Sequence, residues 1–256
     1  MTGADLKPAF GPVRCLPLLA LLGVLTACSR PAQGEDKKEP RETGRMTAAG
    51  PVGLFFMTRY NSSLHSLEKA AWLFQDDGAV YENLTAGLTA ADLKAHAGPR
   101  GKYQFGDHKM KITWSDGTAE ESNVERDGTS PGFMWDLGIF SPVSPLQAAD
   151  VAGTYDGGET LTQLGPDSAV FTGQEFIFRP DGTYLRNAVA NLQNAGGGGS
   201  DEGTWKTDGF SLTLTSNKGK TMRKLTLPVT IDEKSKQPDH LYLGGLLLKR
   251  RVGKGR

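Results

Sequence analysis

The feature that most constrains this chain is a short pattern that occurs twice, about 100 residues apart. Trp72-Leu73-Phe74 is followed by Asp77-Gly78 and then Val80-Tyr81, and Phe176-Ile177-Phe178 is followed by Asp181-Gly182 and then Tyr184. Apolar, β-type runs on either side of Asp-Gly predict a β-hairpin whose two turn residues both take positive φ. Other features recur at nearly the same offset. Gly53-Leu54-Phe55 matches Gly153-Thr154-Tyr155, and Gly101-Lys102-Tyr103 matches Gly203-Thr204-Trp205. Met110-Lys111-Ile112-Thr113-Trp114 matches Phe210-Ser211-Leu212-Thr213-Leu214. Self-similarity at a fixed spacing is the mark of a duplicated structural unit.

The last two segments place apolar residues at every second position, so one strand face is buried and the other wet. That is the signature of antiparallel, half-solvated sheet. The 33 glycines and 14 prolines favour many tight turns over long helices. The chain is therefore expected to be all-β, with two related antiparallel β-meander units at residues 53–145 and 146–250, forming barrels or a sandwich. One short helix is expected near 89–97: Thr89 and Asp92 form a capping box, Leu88 and Leu93 supply apolar contacts, and Gly98-Pro99 stops it. A second short helix is expected over Pro145 to Asp150. Gly196 to Gly199 is read as a mobile hairpin loop.

Ahead of these units stands a different kind of sequence. Lys7 and Arg14 precede an apolar stretch from Cys15 to Ala27, which at ~1.5 Å per residue is about 20 Å long and too short for the ~30 Å bilayer core. Residues 1–27 read as a signal peptide. The stretch ends in Leu25-Thr26-Ala27-Cys28, which resembles the lipobox of bacterial lipoproteins. That resemblance implies cleavage between Ala27 and Cys28, lipidation of the Cys28 thiol, and attachment to a lipid bilayer of the cell envelope. Ser29 at the following position points to the outer membrane by the same resemblance. Residues 28–52 mix charges with almost no large apolar side chain and read as a flexible tether. Residues 251–256 read as a basic tail.

Lys plus Arg equal Asp plus Glu at 29 each, so no global field draws the chain to nucleic acid. Cys15 leaves with the signal and Cys28 takes the lipid, which leaves the mature chain no disulfide and no cysteine metal site. His65, His96, His108 and His240 lack metal-ligand spacing, and no metal or cofactor is expected. Ser66 and Lys69 have the Ser-x-x-Lys spacing of penicillin-recognising enzymes, but the companion motifs are absent and a strand would turn the two side chains to opposite faces. Asp76-Asp77-Gly78 and Asp156-Gly157-Gly158-Glu159 are read as turns rather than Ca²⁺ loops.

Phe133, Trp135, Trp114 and Trp205 are the aromatic side chains to which an apolar ligand would be assigned, against a default role in the core. The succession of Gly-x-aromatic, apolar strand, Asp-Gly hairpin and alternating strand resembles small lipocalin-like barrels of envelope lipoproteins, and no ligand residue carries over from it. The sequence favours a non-catalytic, membrane-anchored module that binds an envelope protein or an amphiphile. A lipocalin-like carrier of a small apolar molecule is the alternative. A hydrolase-type enzyme, resting on Ser66 and Lys69 alone, comes last.

Overall fold

A computed structural model describes residues 43–251 apart from 64, 127, 129, 162–169, 192–198 and 232–233. The stretches read as signal peptide and tether up to residue 42, with Cys28, and the expected loop residues 194–198 and tail beyond Arg251 lie outside the described residues.

The first unit consists of β1 (Arg45–Thr47), β2 (Gly50–Asn61), β3 (Ser66–Phe74), β4 (Ala79–Tyr81), α1 (Ala90–Lys94), β5 (Arg100–Gly106), β6 (Lys109–Trp114), β7 (Ala119–Glu125), β8 (Phe133–Trp135) and β9 (Gly138–Pro142). After α2 (Ala148–Val151) come β10 (Gly153–Leu161), β11 (Val170–Phe178), β12 (Thr183–Asn191), β13 (Gly199–Asp208), β14 (Ser211–Ser216), β15 (Thr221–Ile231), β16 (Pro238–Leu243) and β17 (Leu246–Arg250). Within each barrel every strand pairs antiparallel with the next. Pairing of β2 with β9 closes the first barrel, and pairing of β10 with β17 closes the second. The two units are therefore separate barrels and not halves of one sandwich.

The duplication extends to the hydrogen bonds. Gly53 faces Phe74 across one ladder, and Gly153 faces Phe178 across the other. In the first hairpin Gly78 N–H donates to Gln75 O at 3.0 Å, and in the second Gly182 N–H donates to Arg179 O at 3.0 Å. Tyr103 N–H reaches Gly78 O at 2.8 Å, and Trp205 N–H reaches Gly182 O at 2.7 Å. Tyr103 Oη and Trp205 Nε1 also donate to equivalent carbonyls, Gln75 O and Arg179 O, both at 3.1 Å. One contact is thus kept while the side chain that makes it has changed.

The ladders correct the expected alignment of the strand that follows. Gly101 faces Trp114 and Gly203 faces Ser216, so Met110 and Ile112 correspond to Leu212 and Leu214. Phe210 lies two residues off that match, in the β13–β14 turn. A two-residue slip preserves the alternation of faces, so periodicity could not detect it.

The Asp-Gly turns also differ from expectation. Gly78 and Gly182 have positive φ, whereas Asp77 and Asp181 do not. Each aspartate instead accepts the N–H two residues on, Ala79 or Thr183, at 2.9 Å. This is the longer loop that ends in a left-handed glycine. Pairs with positive φ at both residues occur at Asp107-His108, Asp136-Leu137 and Gly244-Gly245.

Three further boundaries move. Residues 45–47 and 50–52, assigned to the tether, form β1 and the start of β2, with Met46 packed on the first core. A strand needs only backbone partners, so a low apolar content did not exclude one. Asp156 to Glu159 lie inside β10 and not in a turn. Arg251 belongs to the second barrel and not to a tail: its N–H bonds Thr154 O, and its side chain pairs with Asp156 and Glu175.

Both helices form near their expected places, α2 starting three residues later, at Ala148, and ending at Val151. In α1 Asp92 N–H donates to Thr89 Oγ1 and Thr89 N–H to Asp92 Oδ2, both at 3.1 Å. The helix ends at Lys94, short of residue 97. The segment carrying it wedges between the barrels. Leu84, Leu88 and Leu93 join Leu54, Phe56, Ala71 and Leu73 from the outside of β2 and β3, and Phe210, Leu225, Leu227 and Tyr242 from the second barrel, in one core. Tyr242 Oη donates to Leu84 O at 2.9 Å and Leu225 N–H to Thr85 O at 3.0 Å.

Candidate functional site

Alternation along the strands places two sets of side chains at the end of the first barrel away from β1. On β2 the inward face runs Phe55, Met57, Arg59, and on β3 it runs Phe74, Trp72, Ala70, Glu68. Arg59 and Glu68 face each other across the ladder, with Arg59 Nε donating to Glu68 Oε2 at 3.0 Å. Arg59 Nη1 donates to Asp136 Oδ2 in the β8–β9 turn at 2.9 Å. Glu82 shares a face with the core residue Val80, and Glu120 accepts from Trp114 Nε1 at 3.2 Å. The barrel mouth is thus lined by carboxylates gathered from four elements around one guanidinium. Burial pushes the Glu82 carboxyl up to about 7; the Glu68 and Glu120 carboxylates add to the effect and Arg59 partly offsets it. Beside it lies a cavity of about 440 Å³ lined by Glu82, Arg100, Trp114, Asp116 and Glu120. A second, of about 560 Å³, lies between α1 and the β2–β3 edge, lined by Gly53, Phe74, Gln75, Leu88, Leu93 and Lys94.

On the outward face of the same end the chemistry reverses. Tyr60 faces Leu67 across one ladder, Thr58 faces Ile139 across another, and Ile139 faces Met134 across a third. Leu137 sits at the tip of the β8–β9 turn. Tyr60, Leu67, Met134, Leu137 and Ile139 are five of the six large apolar residues exposed among the described residues, and Leu137 is 83% exposed. Scattered exposed apolar residues are ordinary, whereas a contiguous group is what interaction surfaces show. Ion-paired residues inside and an apolar collar outside thus meet at one rim.

Of the aromatic residues named from sequence, Trp114 reaches the mouth through its indole N–H and lines the cavity beside it. Trp114, Phe133 and Trp135 are packed inside the first barrel with Trp72 and Phe140, and Trp205 is packed inside the second. Phe133 stacks on Phe140 with ring centroids 4.6 Å apart and planes 5° apart. Trp135 Nε1 donates to Met110 O at 3.0 Å. These rings are buried within the barrel cores.

Ser66 and Lys69 lie on β3, where Ser66 faces Asn61 and Lys69 faces Thr58. The odd spacing turns them to opposite faces, and no nucleophile and base meet there. His96 Nε2 lies 2.9 Å from Glu82 O and His240 Nδ1 lies 2.9 Å from Thr230 Oγ1, while His65 and His108 are turn residues with positive φ. Among the described residues no three metal-ligating side chains converge. Sequence reasoning missed both the mouth and the collar. The mouth's signal was present as charged residues, Arg59, Glu68 and Glu82, continuing the inward faces of otherwise apolar strands. No protein-family model, no curated protein and no solved structure matches this chain, so its functional reading rests on its own geometry.

Proposed function

We propose that the chain is a lipid-anchored, non-catalytic binding module of a bacterial cell envelope. In this reading acylated Cys28 holds a pair of barrels at a membrane, and the collar of Tyr60, Leu67, Met134, Leu137 and Ile139 is the surface offered to a partner. The observation that carries the reading is the contrast, in the first barrel, between a packed aromatic core and a bare collar: aromatic side chains occupy the space a carrier would leave for cargo there, and apolar surface is left outside. The lipobox supplies the membrane. Ser66 and Lys69, held apart on β3, leave the enzyme reading without its nucleophile and base.

Metabolic labelling with a clickable fatty acid, followed by membrane fractionation of wild type and Cys28→Ala, tests the anchor. The expected result is lipid and membrane association in wild type and loss of both in the variant. A soluble, lipid-free wild type would overturn it. Turnover of a general hydrolase panel by the purified protein, abolished by Ser66→Ala, would overturn the non-catalytic assignment.

A further inference from the structure

The outward stripe of β2 meets different surroundings along its length. Leu54 and Phe56 are buried under the second barrel, and two residues further on the same face emerges as Thr58 and Tyr60. The apolar character continues past the footprint of the second barrel across β3, β9 and β8. The bare part is on the order of a few hundred Å², below the roughly 800 Å² per partner of a stable specific protein interface. A surface of that size becomes useful when something else already holds the protein beside its target, because the second contact is then intramolecular.

We propose that the target is the bilayer surface in which the Cys28 lipid is anchored, with Leu137 and Tyr60 entering the headgroup region. This rests on the anchored reading above. Chain length permits it: the described chain begins at Thr43, bridged to Leu54, and the Tyr60 row lies about six residues, or ~20 Å, further along β2. The roughly 15 residues from Cys28 to Thr43 span at most ~50 Å. The shape suits a soft acyl phase, since the most exposed side chain, Leu137, projects from a turn tip and Tyr60 offers the amphipathic ring that favours membrane interfaces. Lys69 faces Thr58 in the collar and can meet phosphate, and Arg59 offsets one of the two charges of Glu68 and Asp136, so insertion rests on the apolar side chains rather than on charge.

The test uses the full mature lipoprotein in vesicles of phosphatidylethanolamine and phosphatidylglycerol. An environment-sensitive dye is placed on Leu137→Cys or, as a control in the second barrel's β14–β15 turn, on Lys218→Cys. The expected result is a blue shift at 137 and protection from iodide by roughly threefold, as for side chains held ~5–10 Å into the headgroup boundary, with neither change at 218. Vesicle-bound protein whose 137 dye stays fully quenchable would overturn the docked surface while leaving the anchor intact. A chain that carries no lipid would refute the anchor. The 137 dye on that unanchored protein, added to the same vesicles, still decides the surface: a blue shift supports it, and none overturns it.

Discussion

The two barrels share a ladder plan and differ in what closes and what opens them. Beneath the β1 end of the first, Tyr103 Oη donates to Pro51 O at 2.7 Å. The equivalent end of the second is closed by α2 and by Arg250, whose guanidinium donates to Pro238 O, Ala152 O and Asp150 O and lies 4.8 Å from the centre of the Tyr155 ring. The corresponding partner of Phe55 in the first barrel is Pro142, which has no such group. At the mouth the contrast is sharper. The ladder position of Glu82 is held in the second barrel by Arg186, which donates to Gln174 and lies over Phe176, and that of Glu120 is held by Met222. A duplicated scaffold has thus kept its turns and close backbone approaches, while at its rim Glu82 is replaced by Arg186 and Glu120 by Met222. Turn and backbone geometry are required for either barrel to close, whereas rim residues face water and are free to diverge.

The close approaches should cost most to disturb. A Cβ at Gly101 would strike Thr113 O, and one at Gly203 would strike Thr215 O, both backbone atoms that cannot step aside. Gly101→Ala and Gly203→Ala should each destabilise by about 3 kcal/mol or somewhat more, at the upper end of overpacking, since the struck atoms are backbone. Equilibrium denaturation measures this, and a loss confined to one of the pair would break the equivalence of the barrels.

Next comes the core between them. Leu227 is fully buried there, and Leu227→Ala should cost about 3 kcal/mol. If the wedge of α1 is what couples the barrels, tryptophan fluorescence, which reports Trp72, Trp114 and Trp135 in the first barrel beside Trp205 in the second, should then resolve two transitions where wild type should give one. A single shifted transition would mean that other contacts carry the coupling.

Two indoles of the first core give a smaller contrast. Trp135 Nε1 donates to Met110 O, whereas Trp72 Nε1 is buried without a hydrogen-bond partner among the described residues. Trp135→Phe should cost about 2 kcal/mol by orphaning a carbonyl, and Trp72→Phe under about 1, since it also removes an unsatisfied donor. Equal losses would mean that packing alone sets both.

The smallest effect is at the rim. The Glu82 carboxyl moves from an ordinary 4.5 to about 7 on folding, so the native state holds an extra proton between those values. Its contribution is fully present below about pH 4.5 and is lost as pH rises through 7. Because the group is partly exposed and screened, Glu82→Gln should gain only about 1 kcal/mol at pH 8 and little at pH 4. Melting temperatures across pH should show the two curves converging in acid, and parallel curves would contradict the assignment.

Local sequence was enough for most strands, the positions of the Asp-Gly turns, the duplication and the capped α1, because each depends on period-two alternation, on glycine at left-handed positions, or on a side chain bonding a backbone three residues away; it misread the conformation of Asp77 and Asp181 and left residues 45–47 and 156–159 out of the sheets. It placed Trp114, Phe133, Trp135 and Trp205 in a list of binding candidates against a default of core, and packing assigned them to the core. Long-range packing alone separated Leu54 and Phe56 from Tyr60 on one outward stripe, since burial there depends on Leu225 and Leu227, far along the chain. It also gathered Arg59, Glu68, Glu82 and Glu120 at one mouth. Alternation assigns a residue to a face, but which face another part of the chain will cover is settled only when distant segments pack.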